Sequence, residues 1–366
     1  MSSPVSTVTE PPRHSVFHSL QVATIEPLTE DSVAITFGVP PELRADYEFV
    51  AGQHLIIRTD LAGDDVRRSY SICSPAGSGV LRVAVKRLDG GAFSEHALEM
   101  LRPGESLEVM TPSGRFFTPL DPNHAKHYVS VAAGSGITPI LSLVTTTLAV
   151  EPKSRVTLIY ANRTHKTVMF LEEVEDLKDR YGERMQLIHV LSREPQEVEL
   201  FSGRLDPERM QRMFALVPPD TVDDWFLCGP FEMVTSLRRL LVERGVPKGA
   251  VHGEIFHVSA EPPPVRRTAE APVDSAKVTI TLDGRTSTFP LAADGPPVIE
   301  AALSVRADAP FACKGGVCGT CRAKLVSGTV AMDTNYALEP DEVEKGYVLT
   351  CQSHPTSPEV VLDYDA

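Results

Sequence analysis

Four cysteines carry the clearest chemistry in this chain. Cys313, Cys318 and Cys321 stand in CKGGVCGTC, spaced C-x4-C-x2-C, and Cys351 follows after a long gap. That spacing suits a 2Fe-2S cluster held by four thiolates. Gly315, Gly316 and Gly319 between the thiols let the loop turn tightly and aim its N–H groups at the cluster sulfurs. A zinc knuckle would more typically show two short Cys-x2-Cys pairs, whereas here the fourth cysteine stands alone. An iron centre raises the question of where its electrons come from.

Upstream, Arg68-Ser69-Tyr70-Ser71 offers a guanidinium, an aromatic ring and a hydroxyl within four residues. Such a set can serve a flavin, with Arg68 on a pyrophosphate, Tyr70 stacked on the ring system and Ser71 near its reactive N5 edge. The three would share one side only if the backbone bends. Gly90, Gly91 and Ser94 precede a helix-like piece, FSEHALEML, where open N–H groups can take a phosphate. An ordinary turn with an N-cap fits these residues equally well until RSYS is taken into account.

Further on, AAGSGITP places Gly134, Ser135, Gly136 and Thr138 between an apolar strand and a helix. The two glycines would let a pyrophosphate approach the backbone, with Thr138 as the cap and Pro139 at the first helical position. Arg163 follows the next strand, and Ser192 and Arg193 the one after. A ribose 2′-phosphate wants arginine and a bare diol wants a carboxylate, so these loops favour NADPH, with NADH as the alternative. Cys228-Gly229-Pro230 ends a fourth strand beside the expected nicotinamide. Cys228 is either a small side chain packed near that ring or a buried structural thiol. Phe256, in the last strand, either covers a flavin face or belongs to the core.

These residues need three scaffolds. From 14 to 120 short strands with Pro and Gly between them predict an antiparallel β-barrel: VFHSLQVATI, VAITFGV, GQHLIIRT, RSYSICS and LRVAVKRL. From 121 to 258 continuous apolar strands alternate with helical runs, which predicts a parallel α/β sheet with ligands at its strand C-termini. Residues 259–276 are proline-rich and read as a linker, and 277–366 as a small α+β unit with a hairpin turning at Asp283 and Gly284. Residues 1–13 read as a disordered lead-in.

Composition narrows the partners. The 366 residues are too many for one core, and the net charge of −14 argues against nucleic acid or an anionic membrane. No apolar stretch approaches the ~20 residues that span a bilayer, so a soluble, cytoplasmic protein is expected. Six cysteines are too few for a disulfide scaffold in a chain of this length. A redox sensor would need a regulatory domain, and none is visible.

With RSYS, GGAFS, AAGSGITP, YANRT, LSRE, CGP and the cysteine loop in order, residues 16–366 resemble the ferredoxin–NADP reductase superfamily joined to a plant-type ferredoxin. FHSLQVA, GQHL, ACKGGVC, VAMDTNYALEPDE and GYVLTCQ are similar to the reductase components of phenylacetyl-CoA epoxidases. Steroid 9α-hydroxylase reductases look similar too, though less so around AMDTNYALEPDE. The resemblance implies FAD, NADPH and a 2Fe-2S cluster, a β-grasp fold for the last domain, and a di-iron oxygenase as electron acceptor. It implies that Arg68, Ser69, Tyr70, Ser71, Val85, Lys86, Gly91, Phe93 and Ser94 hold the flavin. Gly134, Ser135, Gly136, Thr138 and Cys228 to Pro230 would hold the nicotinamide nucleotide, with Ser71, Thr138 and Cys228 setting the geometry of hydride transfer. A reductase of a steroid or aromatic-ring hydroxylase using NADH is the alternative.

Overall fold

A computed structural model describes residues 16–61, 63–257 and 275–366. The expected lead-in and nearly all of the expected linker lie outside the described residues. Ala276, the last linker residue, already pairs with Leu291 in a strand. The chain divides into two compact units, one carrying the first two sheets and the other the remainder.

The first sheet consists of β1 (Phe17–Thr29), β2 (Ser32–Gly38), β3 (His54–Leu61), β4 (Asp64–Ser71), β5 (Leu81–Lys86) and β6 (Ser106–Met110). They lie in the order β4-β3-β6-β1-β2-β5. Just past β4, Ile72 bridges Val83 of β5, which brings the outer strands together and closes the barrel. Alternate residues such as Leu20 and Val22, Leu55 and Ile57, and Val83 and Val85 fill the interior. Each such aliphatic side chain stabilises the fold by about 1.5–3 kcal/mol. Helix α1 (Ala92–Glu99) adds Phe93 and Ala97, four residues apart and so on one helix face. β6 is missing from the expected strands because Ser-Leu-Glu-Val-Met is too short to show its alternation.

The second sheet is wholly parallel. Its elements are β7 (His127–Ala133), α2 (Ile137–Val150), β8 (Arg155–Asn162), α3 (Leu171–Tyr181), β9 (Met185–Leu191), α4 (Pro207–Met213), β10 (Asp224–Pro230), α5 (Phe231–Glu243) and β11 (Val251–His257). The strand order β11-β10-β7-β8-β9 means the chain runs from β7 to one side, then returns to the other. The switch point lies between the ends of β7 and β10, where an open α/β sheet leaves its crevice. Both faces are covered, which explains the continuous apolar runs. Val129, Val131, Trp225 and Leu227 face α4 and α5, while Tyr128, Ala132, Phe226 and Cys228 share a core with α2 and α3.

That second core also takes in Ala34, Ala51, Cys73 and Phe116, so the barrel and the parallel sheet pack as one body. Ser142 of α2 donates to Ser74 O at 2.7 Å, Ala76 N donates to Thr146 Oγ1 at 3.0 Å, and Arg82 pairs with Glu173 at 2.6 Å. These bonds hold the segment after β4 against α2, and β5 against α3.

The remaining unit contains β12 (Ala276–Leu282), β13 (Arg285–Leu291), α6 (Val298–Leu303), β14 (Arg322–Ser327), β15 (Val330–Met332), α7 (Pro340–Glu344), β16 (Tyr347–Leu349), β17 (Ser353–Pro355) and β18 (Glu359–Asp363). Its mixed sheet runs β13-β12-β18-β14-β16, with Val298, Ile299 and Ala302 of α6 packed into its core. The hairpin turns where expected. Asp283 and Gly284 both have positive φ, +54° and +66°, as a two-residue turn between twisted strands requires. β15, β16, β17 and α7 escape a reading by pattern because each has only three to five residues. Among the described residues no helix is long and apolar enough to cross a membrane.

Candidate functional site

β4 pairs with β3 from Asp64 to Ser71 without a bulge, so the bend that would bring the three side chains to one side is absent. Strand alternation places Arg68 and Tyr70 on one face and Ser69 and Ser71 on the other. Arg67 is buried and clamps Asp65 through two nitrogens, whereas Arg68 is exposed and donates to the Arg67 carbonyl at 2.8 Å. Of the two, Arg68 is the cation left to a ligand. Tyr70 is half-buried with its ring centroid 5.3 Å from that of Phe93. Burial pushes its phenol up, so it stays neutral. Val85 points into the barrel core and has only its backbone to offer a cofactor, while Lys86 lies 3.4 Å from Asp31.

The turn before α1 is largely satisfied by itself. Gly90 N donates to Glu95 Oε1, Gly91 N to Leu88 O, and Leu88 N to Ser94 Oγ. The amides from Ala92 to Ser94 in the first helical turn remain without intrahelical acceptors.

At the parallel sheet, Gly134 to Gly136 form a tight turn between β7 and α2. Gly134 has φ +53° with open space where a side chain would stand, and Tyr160 Oη reaches its carbonyl at 3.1 Å. Gly136 cannot be larger, since a Cβ there would lie 2.3 Å from Cys228 O. The helix starts earlier than expected. Its N-cap position is Gly136, so Thr138 and Pro139 are its second and third residues. Thr138 is buried and donates to Ser135 O at 3.1 Å, a bond within the turn rather than a cap.

The loops after β8 and β9 pair through their backbones, with Ser192 N donating to Asn162 O and Arg193 N to Arg163 O. Arg163 and Arg193 are therefore neighbours, both exposed, and Ser192 lies beside them half-buried. Glu194, the nearby carboxylate, accepts from His165 N at 2.8 Å.

Glu254 escapes a reading of the sequence alone. β11 lies beside β10 with Glu254 opposite Cys228. Its Oε2 accepts from Ser71 Oγ at 3.3 Å and lies 4.0 Å from Cys228 Sγ. Burial pushes the Glu254 carboxyl up to about 7, against the opposing pull of the Ser71 hydrogen bond. Burial, with Glu254 adding to it, keeps the Cys228 thiol protonated, so it is no nucleophile. The one carboxylate in the terminal strand VHGEIFH is the signal that could have found Glu254. Phe256, two residues on, is half-buried against the core shared by barrel and sheet. Gly229 is packed tightly, since a Cβ there would come within 2.9 Å of Met233 Cε.

In the other unit the four cysteines are free thiols that interact as two pairs, Cys313 with Cys318 and Cys321 with Cys351. The neighbouring Cys318 thiol holds Cys313 down to about 5, helped by the amides of Gly315, Cys318 and Val317. The Cys321 thiol likewise holds Cys351 below the usual thiol range, with Gln352 assisting. Charge repulsion links the pairs, Cys351 with Cys313 and Cys321 with Cys318. Among the described residues no three donor side chains gather for a single ion. Two thiols per metal is what a binuclear cluster needs, and N–H groups already aimed at sulfur fit it.

Comparison with known proteins agrees with this division. Residues 19–117 match the oxidoreductase FAD-binding domain, 131–239 the oxidoreductase NAD-binding domain and 280–356 the 2Fe-2S iron-sulfur cluster binding domain. The chain is 44% identical over 353 residues to a subunit of the 1,2-phenylacetyl-CoA epoxidase of Escherichia coli, covering 96% of this chain and 99% of that one. It belongs to this reductase family. The family is the ferredoxin–NADP reductase superfamily with a C-terminal 2Fe-2S domain. The ferredoxin reductase component of 3-ketosteroid-9-alpha-monooxygenase from Rhodococcus rhodochrous is 31% identical, covering 98% of this chain and all of that one. Among solved structures, phthalate dioxygenase reductase superposes with a TM-score of 0.58 at 25% identity, covering 95% of this chain and 98% of that one. The chain is thus an NAD(P)H-dependent oxidoreductase whose groups are FAD, a pyridine nucleotide and a 2Fe-2S cluster.

Proposed function

We propose that this reductase draws electrons from NADPH and delivers them singly to the di-iron oxygenase of a phenylacetyl-CoA epoxidase. The observation that carries the redox reading is the Glu254 oxygen shared by Ser71 of the barrel and Cys228 of the nucleotide sheet. It sits at the switch point, where a flavin on β4 and a nicotinamide over β10 would meet. The likeness to the Escherichia coli epoxidase component supports the choice of partner. When bound, FAD converts a hydride's electron pair into single electrons, which the 2Fe-2S cluster carries one at a time.

The chain's own residues position and tune. Arg68 and the open amides of α1 bind phosphate; Tyr70 and Phe256 offer aromatic surface; Ser71 orients the ring edge. Gly134 to Gly136 let the nucleotide backbone come close, and Thr138 and Cys228 bound the space left to the nicotinamide, because transfer needs near-contact of the reacting atoms. Glu254 holds a proton near neutrality beside Ser71 Oγ, so the hydroxyl can act as donor or acceptor. Arg163, Ser192 and Arg193 favour a 2′-phosphate, and Glu194, the carboxylate nearest to them in sequence, is occupied by the His165 amide. Cys313, Cys318, Cys321 and Cys351 hold the iron.

Purified phenylacetyl-CoA epoxidase oxygenase should turn over faster with this reductase and NADPH than a steroid hydroxylase does. Equal or reversed rates would overturn the choice of partner.

A further inference from the structure

The side chain of Gln352, next to the fourth cysteine, is almost fully enclosed and every polar atom it has is used. Its Nε2 donates to Lys314 O at 2.8 Å and to Cys351 O at 2.9 Å, and shares one of these hydrogens with Cys351 Sγ at 3.5 Å. Its Oε1 accepts from Thr334 Oγ1 at 2.8 Å. Two carbonyls on one end and a hydroxyl on the other fix which end is nitrogen. One amide therefore joins the first cysteine's loop, the last cysteine and the segment at 334.

Lys314 explains why the loop needs this. It follows Cys313 directly and has φ +50°, a left-handed conformation that side chains other than glycine adopt at a cost. Its ammonium is tied to Glu300 at 2.7 Å and lies 4.5 Å above the Phe311 ring. Two residues on, Gly316 leaves little room for a side chain, since a Cβ would meet Thr334 Oγ1 at 3.1 Å and Gln352 Cγ at 3.2 Å. The Gly316 carbonyl is taken by the amides of Tyr336 and Ala337, each at 3.1 Å. Thr334 and Gln352 thus pack against the loop that carries the first three cysteines.

We propose that Gln352 is a positioning residue for the cluster: it braces the Lys314 peptide and supplies an N–H to Cys351 sulfur that raises the cluster's reduction potential. A donor at a ligating sulfur stabilises the extra negative charge of the reduced cluster more than it stabilises the oxidised one. This rests on the four cysteines holding iron.

The test is a redox titration of the full-length reductase followed by electron paramagnetic resonance. In Gln352→Leu, which keeps the bulk and loses the amide, the cluster midpoint moves to a more negative potential with altered g-values, while the flavin midpoint stays. Gln352→Glu moves it further in the same direction, and Thr334→Val, which frees the amide to turn, moves it less. A Gln352→Leu protein with full iron and sulfide but the wild-type potential and g-values overturns the proposal. If Gln352→Leu fails to hold its cluster, Thr334→Val decides, and an unshifted midpoint there overturns it equally. Wild-type protein lacking iron and acid-labile sulfide would instead remove the cluster reading itself.

Discussion

Glu254 Oε2 and Ser71 Oγ meet at 3.3 Å across 183 residues of sequence, joining the last strand of the parallel sheet to the barrel. The carboxyl is raised from an ordinary 4.5 to about 7 by burial. A raised acid favours the folded state while it is protonated, so its contribution is full below about 4.5 and is lost as pH climbs through 7. Glu254→Gln should therefore lessen the fall in stability across that window, read as melting temperature against pH. Stopped-flow hydride transfer in the wild type should show an inflection near pH 7 that Glu254→Gln removes. An unchanged inflection in the variant would assign that titration to another group.

Gly136→Ala tests the close approach at the switch point. Its Cβ would stand 2.3 Å from Cys228 O, against backbone that cannot swing away. Destabilisation of about 1–3 kcal/mol is expected from overpacking, with a larger relative loss in nucleotide affinity. Gly134→Ala meets open space but requires φ +53°, so strain alone sets its smaller cost. Comparing denaturation midpoints with nucleotide titrations separates the two effects.

Arg163 and Arg193 lie side by side because their loops pair through the backbone. Losing a charge-assisted bond to phosphate costs about 1.5–3 kcal/mol, so Arg193→Ala should lower kcat/KM for NADPH by ~10- to 100-fold while leaving NADH within a few-fold. Equal losses with both nucleotides would mean that Arg193 has no part in reading the 2′ position.

How much of this was legible follows from what the residues needed. The cysteine loop could be read directly because its ligands are close in sequence, and even its pairing respects that order. Strands β7 to β10 announced themselves because burial on both faces makes their sequences mostly apolar, with few polar residues to interrupt the runs. Glu254 stayed hidden because its meaning comes from a parallel pairing with Cys228 and a contact with Ser71 that no local spacing records. Gln352 was hidden for the same reason, its partners Lys314 and Thr334 lying far upstream. Thr138 misled because a threonine before proline resembles a cap, whereas the glycine turn lets the helix begin two residues sooner, at Ile137.

The central claim is that electrons leave the molecule through iron held by the four thiols. Cys318→Ser, assayed beside the wild type with NADPH, tests it most directly by comparing reduction of a flavin-level dye with reduction of a one-electron protein acceptor. Dye reduction should persist within a few-fold while reduction of the protein acceptor is lost. Full activity toward both acceptors in a variant with no bound iron would contradict it.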